Sequence, residues 1–362
     1  MSDKPRILLV VPRLNIGGAE SYVITAATGL KKRGYHVVVA SWGGALVKVL
    51  KQQEIPHRLV PIRLSAKLTS LMLEYIIRRD SIDIVHANSA AAGLGALTAC
   101  RKLDIPMVYT AHGVIGNNTA EMKLDSADAI ICVSHFLKQL LITKGFSEDK
   151  LEVIYNGVGL DKFTFDPSKY QSMREEFGFS DQHFVLGLIS RITNLHSKGH
   201  DAILQVLSTY PESKDWRVMV IGKGAGLWSL KRQVRKLGIE EQVVFCGYQS
   251  DVSQYMQAMD VVILPSKFET FGLVLAEAQC MSKPTVAYNV GGMAEAIEDG
   301  KTGTLVPYGD INALFTAIKF YQNNITYGRI AGDNGRERVK SLFDSEIMVE
   351  KVINLYYRIL NH

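Results

Sequence analysis

Asp260-Val261-Val262-Ile263-Leu264-Pro265, followed closely by Phe268-Glu269-Thr270-Phe271-Gly272-Leu273-Val274-Leu275-Ala276-Glu277, joins two apolar runs through a glycine-containing turn. The first run, short and ended by proline, reads as a buried strand; the second reads as a helix starting near Gly272. At about 100° per residue, Glu277 falls on the same side of that helix as Leu273, Ala276 and Cys280. Val274 and Leu275 make the other side apolar too. An ionised carboxylate in such a setting is costly unless something binds it. A backbone cap or an internal cation would answer for one such glutamate. Two of them, Glu269 and Glu277, bracketing a helix start favour a ligand.

The same strand–loop–helix unit recurs along the chain. Apolar runs at residues 6–11, 37–41, 82–87, 107–111, 129–133 and 151–154 alternate with amphipathic segments at 19–33, 67–79, 90–103 and 135–144. The polar segment 166–182 interrupts this pattern and reads as a linker, after which strands return at 184–189, 216–221, 243–246, 261–265, 285–288 and 303–306. Short apolar strands between helices predict α/β architecture with parallel, doubly wound sheets. At 362 residues, two domains are expected. The expected division is residues 1–165, 166–344 and a terminal helix, 345–362, carrying Met348, Val352, Leu355, Tyr356 and Ile359 on one side.

The composition, 47% hydrophobic and 21% charged, is that of a globular chain rather than a disordered one. No apolar run reaches the roughly 18 residues of a membrane span, and the first residues lack the apolar core of a signal peptide. Cys100, Cys132, Cys246 and Cys280 stand apart in apolar settings, with no C-x-x-C pair, so reduced core thiols are expected and a cytoplasmic location with them. The net charge is +5, and basic residues crowd the first third. No stacking-aromatic module accompanies them, so no nucleic acid partner is expected. Leu68, Leu71, Met72, Tyr75 and Ile76 recur there at helical spacing. A core stripe with a solvated face is the main reading; weak attraction to anionic membrane surfaces is the functional one.

The E-x7-E pair resembles the donor-sugar motif of retaining glycosyltransferases of the GT-B fold, family 4 (group 1). Further stretches agree in the same order: Gly17-Gly18-Ala19-Glu20, Thr110-Ala111-His112-Gly113 and Ile154-Tyr155-Asn156-Gly157-Val158. They continue with Arg191, Lys198-Gly199, Gly222-Lys223-Gly224 and Gly291-Gly292-Met293-Ala294-Glu295. The resemblance spans roughly residues 6 to 307. It implies two Rossmann-like domains facing across a cleft, the first on the acceptor side and the second on the nucleotide-sugar side, with the terminal helix crossing back to the first. Ligands are then expected at strand carboxyl ends.

Glycosyl transfer from a nucleotide sugar requires neutralising charge that grows on the leaving phosphate, by a metal or by protein cations and amides. No two aspartates in the chain are separated by one residue, so the D-x-D metal route is missing. No metal and no cofactor are expected. Arg191 and Lys198, just beyond a strand end, are the cations that the resemblance places at the diphosphate, Arg as a rigid fork and Lys as a mobile charge. The helix start at Phe271, Gly272 and Leu273 adds amides and a positive dipole end. Gly17 and Gly18 let backbone approach the phosphate. By resemblance Glu277 accepts the ribose hydroxyls, and Glu269 grips the transferred sugar. His112 meets a donor-sugar hydroxyl or supports the reacting centre, and His86 has a weaker claim beside a structural role. Gly222 reads as part of a close-approach loop bordering the nucleotide, and Tyr248 lies near the base or serves as a rim residue.

The implied activity is metal-independent, retaining transfer of a hexose or N-acetylhexosamine from a nucleotide sugar, a UDP-sugar being the expected kind, to a carbohydrate or lipid-linked acceptor. Cell-surface polysaccharide or glycolipid synthesis, at the cytoplasmic side or peripheral on the inner face of a membrane, is the implied setting. Acceptor contacts are expected in the loops at 14–16, 41–44, 88–92 and 114–121. A nucleotide-sugar epimerase on the same fold and a catalytically silent nucleotide- or sugar-binding module are the rival readings.

Overall fold

The computed structural model describes residues 4–15, 17–113 and 119–361. Ile16 and residues 114–118, which belong to two of the expected acceptor loops, lie outside the described residues. The chain forms two compact units, Met1–Gly157 with Phe343–His362, and Val158–Leu342.

The strands of the first unit are β1 (Ile7–Val10), β2 (Val37–Ser41), β3 (His57–Leu59), β4 (Ile84–Ala87), β5 (Met107–Ala111), β6 (Ala129–Cys132) and β7 (Leu151–Val153). Among the described residues they build one sheet in the order β3-β2-β1-β4-β5-β6-β7, with parallel pairing throughout. β1, β2, β4, β5 and β6 are buried along their whole length, as expected where helices cover both faces. β3, missed in the sequence, has only three residues and no alternation to betray it.

The terminal helix Ser345–Leu360 packs into the first unit's core through Met348, Val352, Leu355 and Tyr356. Its contact with helix Gly18–Lys32 is close: a Cβ added at Gly29 would stand 2.6 Å from Val349 Cγ2. His86, fully buried, helps to hold this helix in place. Its Nδ1 lies 2.5 Å from Tyr356 Oη and its Nε2 lies 2.6 Å from Thr110 Oγ1. Both ring nitrogens are engaged, and burial pushes the pKa down to about 3, so the imidazole is neutral. The structural reading of His86 prevails over the chemical one.

The second unit contains β8 (Phe184–Ile189), β9 (Trp216–Ile221), β10 (Val243–Gly247), β11 (Val261–Leu264), β12 (Thr285–Tyr288) and β13 (Gly303–Val306). Their order is β10-β9-β8-β11-β12-β13, again parallel among the described residues. Trp216, Leu186, Val220, Val261 and Ile318 sit in its core.

The linker expected at 166–182 is instead largely a helix, Pro167–Glu176, within this second unit. Asp166 caps it through Ser168 N, 3.0 Å away, with proline in the first turn. Arg174 anchors it: only 2% exposed, it pairs with Asp260 at 3.0 Å and donates to the carbonyls of Ser180 and Ala258. The helix was hidden because its anchor is an arginine rather than an apolar stripe.

Candidate functional site

In a parallel sheet the crevice for a ligand opens where strand order reverses. In the second unit that point lies between β8 and β11. The loop after β8 carries Arg191 and Lys198; the loop after β11 carries Ser266, Glu269 and the start of helix Leu273–Cys280. These two loops touch directly. Lys267 N donates to Ser197 O at 3.2 Å, and a Cβ on Gly199 would collide with Pro265 O at 1.8 Å. That approach brings Lys198 Nζ onto Glu269 Oε1 as an ion pair, with side chains 22% and 16% exposed. Ser266 Oγ donates to the same carboxylate oxygen at 3.2 Å.

The loop after β12 fixes the backbone of Glu269. Gly292 N donates to Glu269 O at 2.9 Å, and a Cβ on Gly291 would stand 1.9 Å from that oxygen. Only glycine fits this contact. Gly272, at φ 85°, stands at the N-cap of helix Leu273–Cys280 and, having no side chain, offers no acceptor to its first amides. The positive end of the helix is thereby left uncapped by side chains. Phe271 is 1% exposed, so its side chain belongs to the core and only its backbone can serve a ligand.

Glu277 lies one turn into this helix. Leu275, Ala276, Ala278, Gln279 and Cys280 face the interior; Leu273, Val274 and Glu277 form the partly open stripe. Ala276 and Cys280, on the expected side of Glu277, are buried, so its accessible edge opens toward Leu273 and Val274. The open stripe is where a ligand can reach the carboxylate. Glu277 keeps an accessible edge, yet its carboxyl group is enclosed enough that desolvation raises its pKa to about 7, against the pull of the Lys162 charge. Among the described residues nothing hydrogen-bonds to it. An enclosed carboxylate with no donor is poised for one from a ligand.

Arg191 is exposed and, among the described residues, outside any ion pair. Its loop is braced by the glycine-rich loop after β9. Ile192 N donates to Lys223 O at 3.0 Å and Gly226 N to Ile192 O at 2.9 Å. A Cβ on Gly222 would lie 1.9 Å from Ser190 O. The close approach expected of Gly222 is thus toward the Arg191 loop. Tyr248, following β10, is half-buried; Lys223 Nζ sits 4.5 Å from its ring centroid and, among the described residues, its buried hydroxyl has no hydrogen-bond partner.

Two family models cover most of the chain: Glycosyltransferase Family 4 over residues 16–162, and Glycosyl transferases group 1 over residues 169–338. The D-inositol 3-phosphate glycosyltransferase of Mycobacterium marinum is 30% identical over 348 residues, 83% of this chain and 72% of that protein. The chain belongs to the family 4, group 1 glycosyltransferases.

This glycosyltransferase has the GT-B fold. A glycosyltransferase from Rickettsia africae matches it with a TM-score of 0.89 and 26% identity, over 99% of each chain. Anabaena Alr3699/HepE, in complex with UDP and glucose, matches with a TM-score of 0.87 and 24% identity over 98% of this chain and 99% of that one.

In the glycosyltransferase's first unit, strand order reverses between β1 and β4. Gly17 precedes helix Gly18–Lys32 after β1, where the Glu20 carboxylate already fills the space a Gly17 side chain would take, 2.5 Å from its would-be Cβ. Among the described residues nothing lies within 4 Å of a Cβ added at Gly18. His112 follows β5, with Nε2 3.5 Å from Asn88 Oδ1 and its ring edge-on to Tyr22, centroids 4.9 Å apart. Burial drives its pKa down to about 3. A neutral imidazole offers one donor and one acceptor, and this one is a poor base.

Ser266 and Lys162 escaped the sequence reading. A buried serine two residues past a strand gives no signal, and Lys162 meets Glu277 only through the fold. Among the described residues no three His, Cys, Asp or Glu side chains are gathered for a metal, and no helix is long and apolar enough to cross a membrane.

Proposed function

We propose that this glycosyltransferase moves a hexose or N-acetylhexosamine from a UDP-sugar to a carbohydrate or lipid-linked acceptor, with retention and without a metal. Synthesis of cell-surface polysaccharide or glycolipid, with weak attraction to anionic membranes, completes the proposal. The observation that carries it is Glu277: an enclosed carboxylate with no hydrogen-bond donor among the described residues, beside an uncapped helix start at the sheet's reversal point. A ribose diol presents two donors to such a group. The Anabaena structure with UDP and glucose supports a nucleotide-sugar donor.

Arg191, Lys198 and the amides at Gly272 and Leu273 neutralise the diphosphate. Lys198 turns from Glu269 to the phosphate as donor binds, which leaves Glu269 to accept hydroxyls of the sugar. Gly222 braces the Arg191 loop, and Tyr248 borders the base. Gly17, Gly18 and His112 are assigned to the phosphate and to a sugar hydroxyl. The acceptor oxygen bonds to the anomeric carbon as its bond to phosphate breaks, on the same face, and the acceptor proton passes to the leaving phosphate.

A thermal-shift panel of nucleotide sugars in excess EDTA tests the donor and the metal together. A ligand at about 100 times its dissociation constant adds roughly 2.7 kcal/mol of apparent stability. UDP-sugars are expected to stabilise the protein in chelator; stabilisation that needs manganese or magnesium contradicts the cationic role of Arg191 and Lys198.

Stereochemistry is checked separately. An inverting transferase needs a base behind the acceptor hydroxyl, and His112 at a pKa of about 3 is unsuited to it. Proton NMR of the fresh product is expected to show an α-glycoside from an α-linked donor. A β-linked product would rule retention out.

A further inference from the structure

Of the apolar stripe Leu68, Leu71, Met72, Tyr75 and Ile76, expected in the core, only Ile76 is buried. Helix Ala66–Arg79 buries Thr69, Ser70, Leu73, Ile76 and Ile77 and turns another apolar set to solvent. Leu68 is 42% exposed, Leu71 51% and Tyr75 63%; Leu64, just before the helix, reaches 73%. Leu59, on the sheet's edge strand β3, adds to the same surface at 59%. Leu59, Leu71, Met72 and Tyr75 line a groove of about 350 Å³ rimmed by Arg58 and Arg79. Single exposed leucines are ordinary, but a continuous patch of this kind is not.

The charges around the patch have one sign. Arg63, Lys67, Arg78 and Arg79 are exposed and, among the described residues, outside any ion pair. The nearby carboxylates are neutralised: Asp80 by Arg58 at 2.9 Å, Glu74 by Lys102 at 2.7 Å. The first unit contains 21 Lys and Arg against 16 Asp and Glu, whereas the second contains 20 of each. The chain's whole surplus of +5 therefore resides in the unit that bears the patch.

We infer that this face, Leu64, Leu68, Leu71 and Tyr75 with Arg63 and Lys67, docks on an anionic lipid bilayer. Protruding leucine tips enter the acyl boundary while the arginine and lysine rim meets the headgroups. Charge complementarity favours the bilayer over a second copy, which would set two basic rims against each other. The inference deepens the membrane part of the proposal above and is independent of its donor chemistry, because docking requires no turnover.

Sedimentation with lipid vesicles tests it on the full chain. The protein is expected to pellet with vesicles of phosphatidylglycerol and phosphatidylcholine in equal parts, and not with phosphatidylcholine alone. Replacing Leu64 and Leu68 with Gln removes the tips, and binding falls by roughly tenfold or more. Replacing Arg63 and Lys67 with Gln lowers it roughly thirtyfold, at about one headgroup attraction per charge. These side chains are exposed, so circular dichroism of both variants should match that of the parent. No pelleting with either vesicle overturns the inference, and so does equal binding by the leucine variant. Self-association that the leucine substitutions abolish overturns it too, assigning the face to a second copy.

Discussion

Binding of a UDP-sugar is expected to weaken as pH falls through about 7, and replacing Glu277 with Gln should abolish that dependence. Burial raises the Glu277 pKa from 4.5 to about 7, so the free protein loses its carboxylate in this range. Ribose hydroxyls donate best to the ionised form, hence affinity rises with pH and levels off above about 7. The sugar-linked diphosphate does not titrate there. Charge-assisted hydrogen bonds contribute about 1.5–3 kcal/mol, so Glu277→Gln should bind roughly tenfold to a hundredfold more weakly at high pH.

The same substitution has a stability signature of opposite sense. With its folded pKa raised, Glu277 binds more protons in the folded chain than in the unfolded one between about 4.5 and 7. Its contribution to stability falls as pH rises through that window and is constant above it. The difference between variant and parent should therefore open by about 3 kcal/mol in favour of the Gln variant. Urea unfolding of both proteins at several pH values measures this. A difference that stays flat with pH would place the carboxylate in water and remove it from the site.

Arg191→Ala and Lys198→Ala should each lower kcat by about 2–4 kcal/mol of transition-state stabilisation, a loss of roughly thirtyfold to a thousandfold. Their effects on folding should differ. Arg191 is exposed and outside any ion pair among the described residues, so its removal leaves unfolding within about 0.5 kcal/mol. Removing Lys198 strands the partly buried Glu269, with Ser266 its one remaining side-chain donor among the described residues. Lys198→Ala should thus lower stability as well as turnover. A raised KM with unchanged kcat in both variants would reduce the two cations to uniform binding groups.

Much of this architecture was legible in the sequence because parallel strands are buried on both faces and declare themselves as apolar runs. β3 was not, being a three-residue edge strand, and neither was the helix Pro167–Glu176, whose anchor Arg174 looks like a surface residue. At the site, the residue types and their strand-end positions were readable from Arg191, Lys198, Glu269 and Glu277. Their mutual arrangement was not. That Lys198 pairs with Glu269 depends on Gly199 lying against Pro265, and that Gly222 braces Arg191 depends on its contact with Ser190. That Glu277 keeps an open edge toward Leu273 and Val274 was not readable, because the run is apolar all round.

Amide hydrogen exchange followed by mass spectrometry, with and without UDP-glucose in excess EDTA, tests the placement of the donor most directly. Protection is expected in the second unit at residues 190–199 and 265–277, the loops after β8 and β11, and it should shrink sharply in the Glu277→Gln variant. Protection absent from both loops while UDP-glucose binds, or unchanged in the variant, would contradict a nucleotide-sugar site at that reversal point.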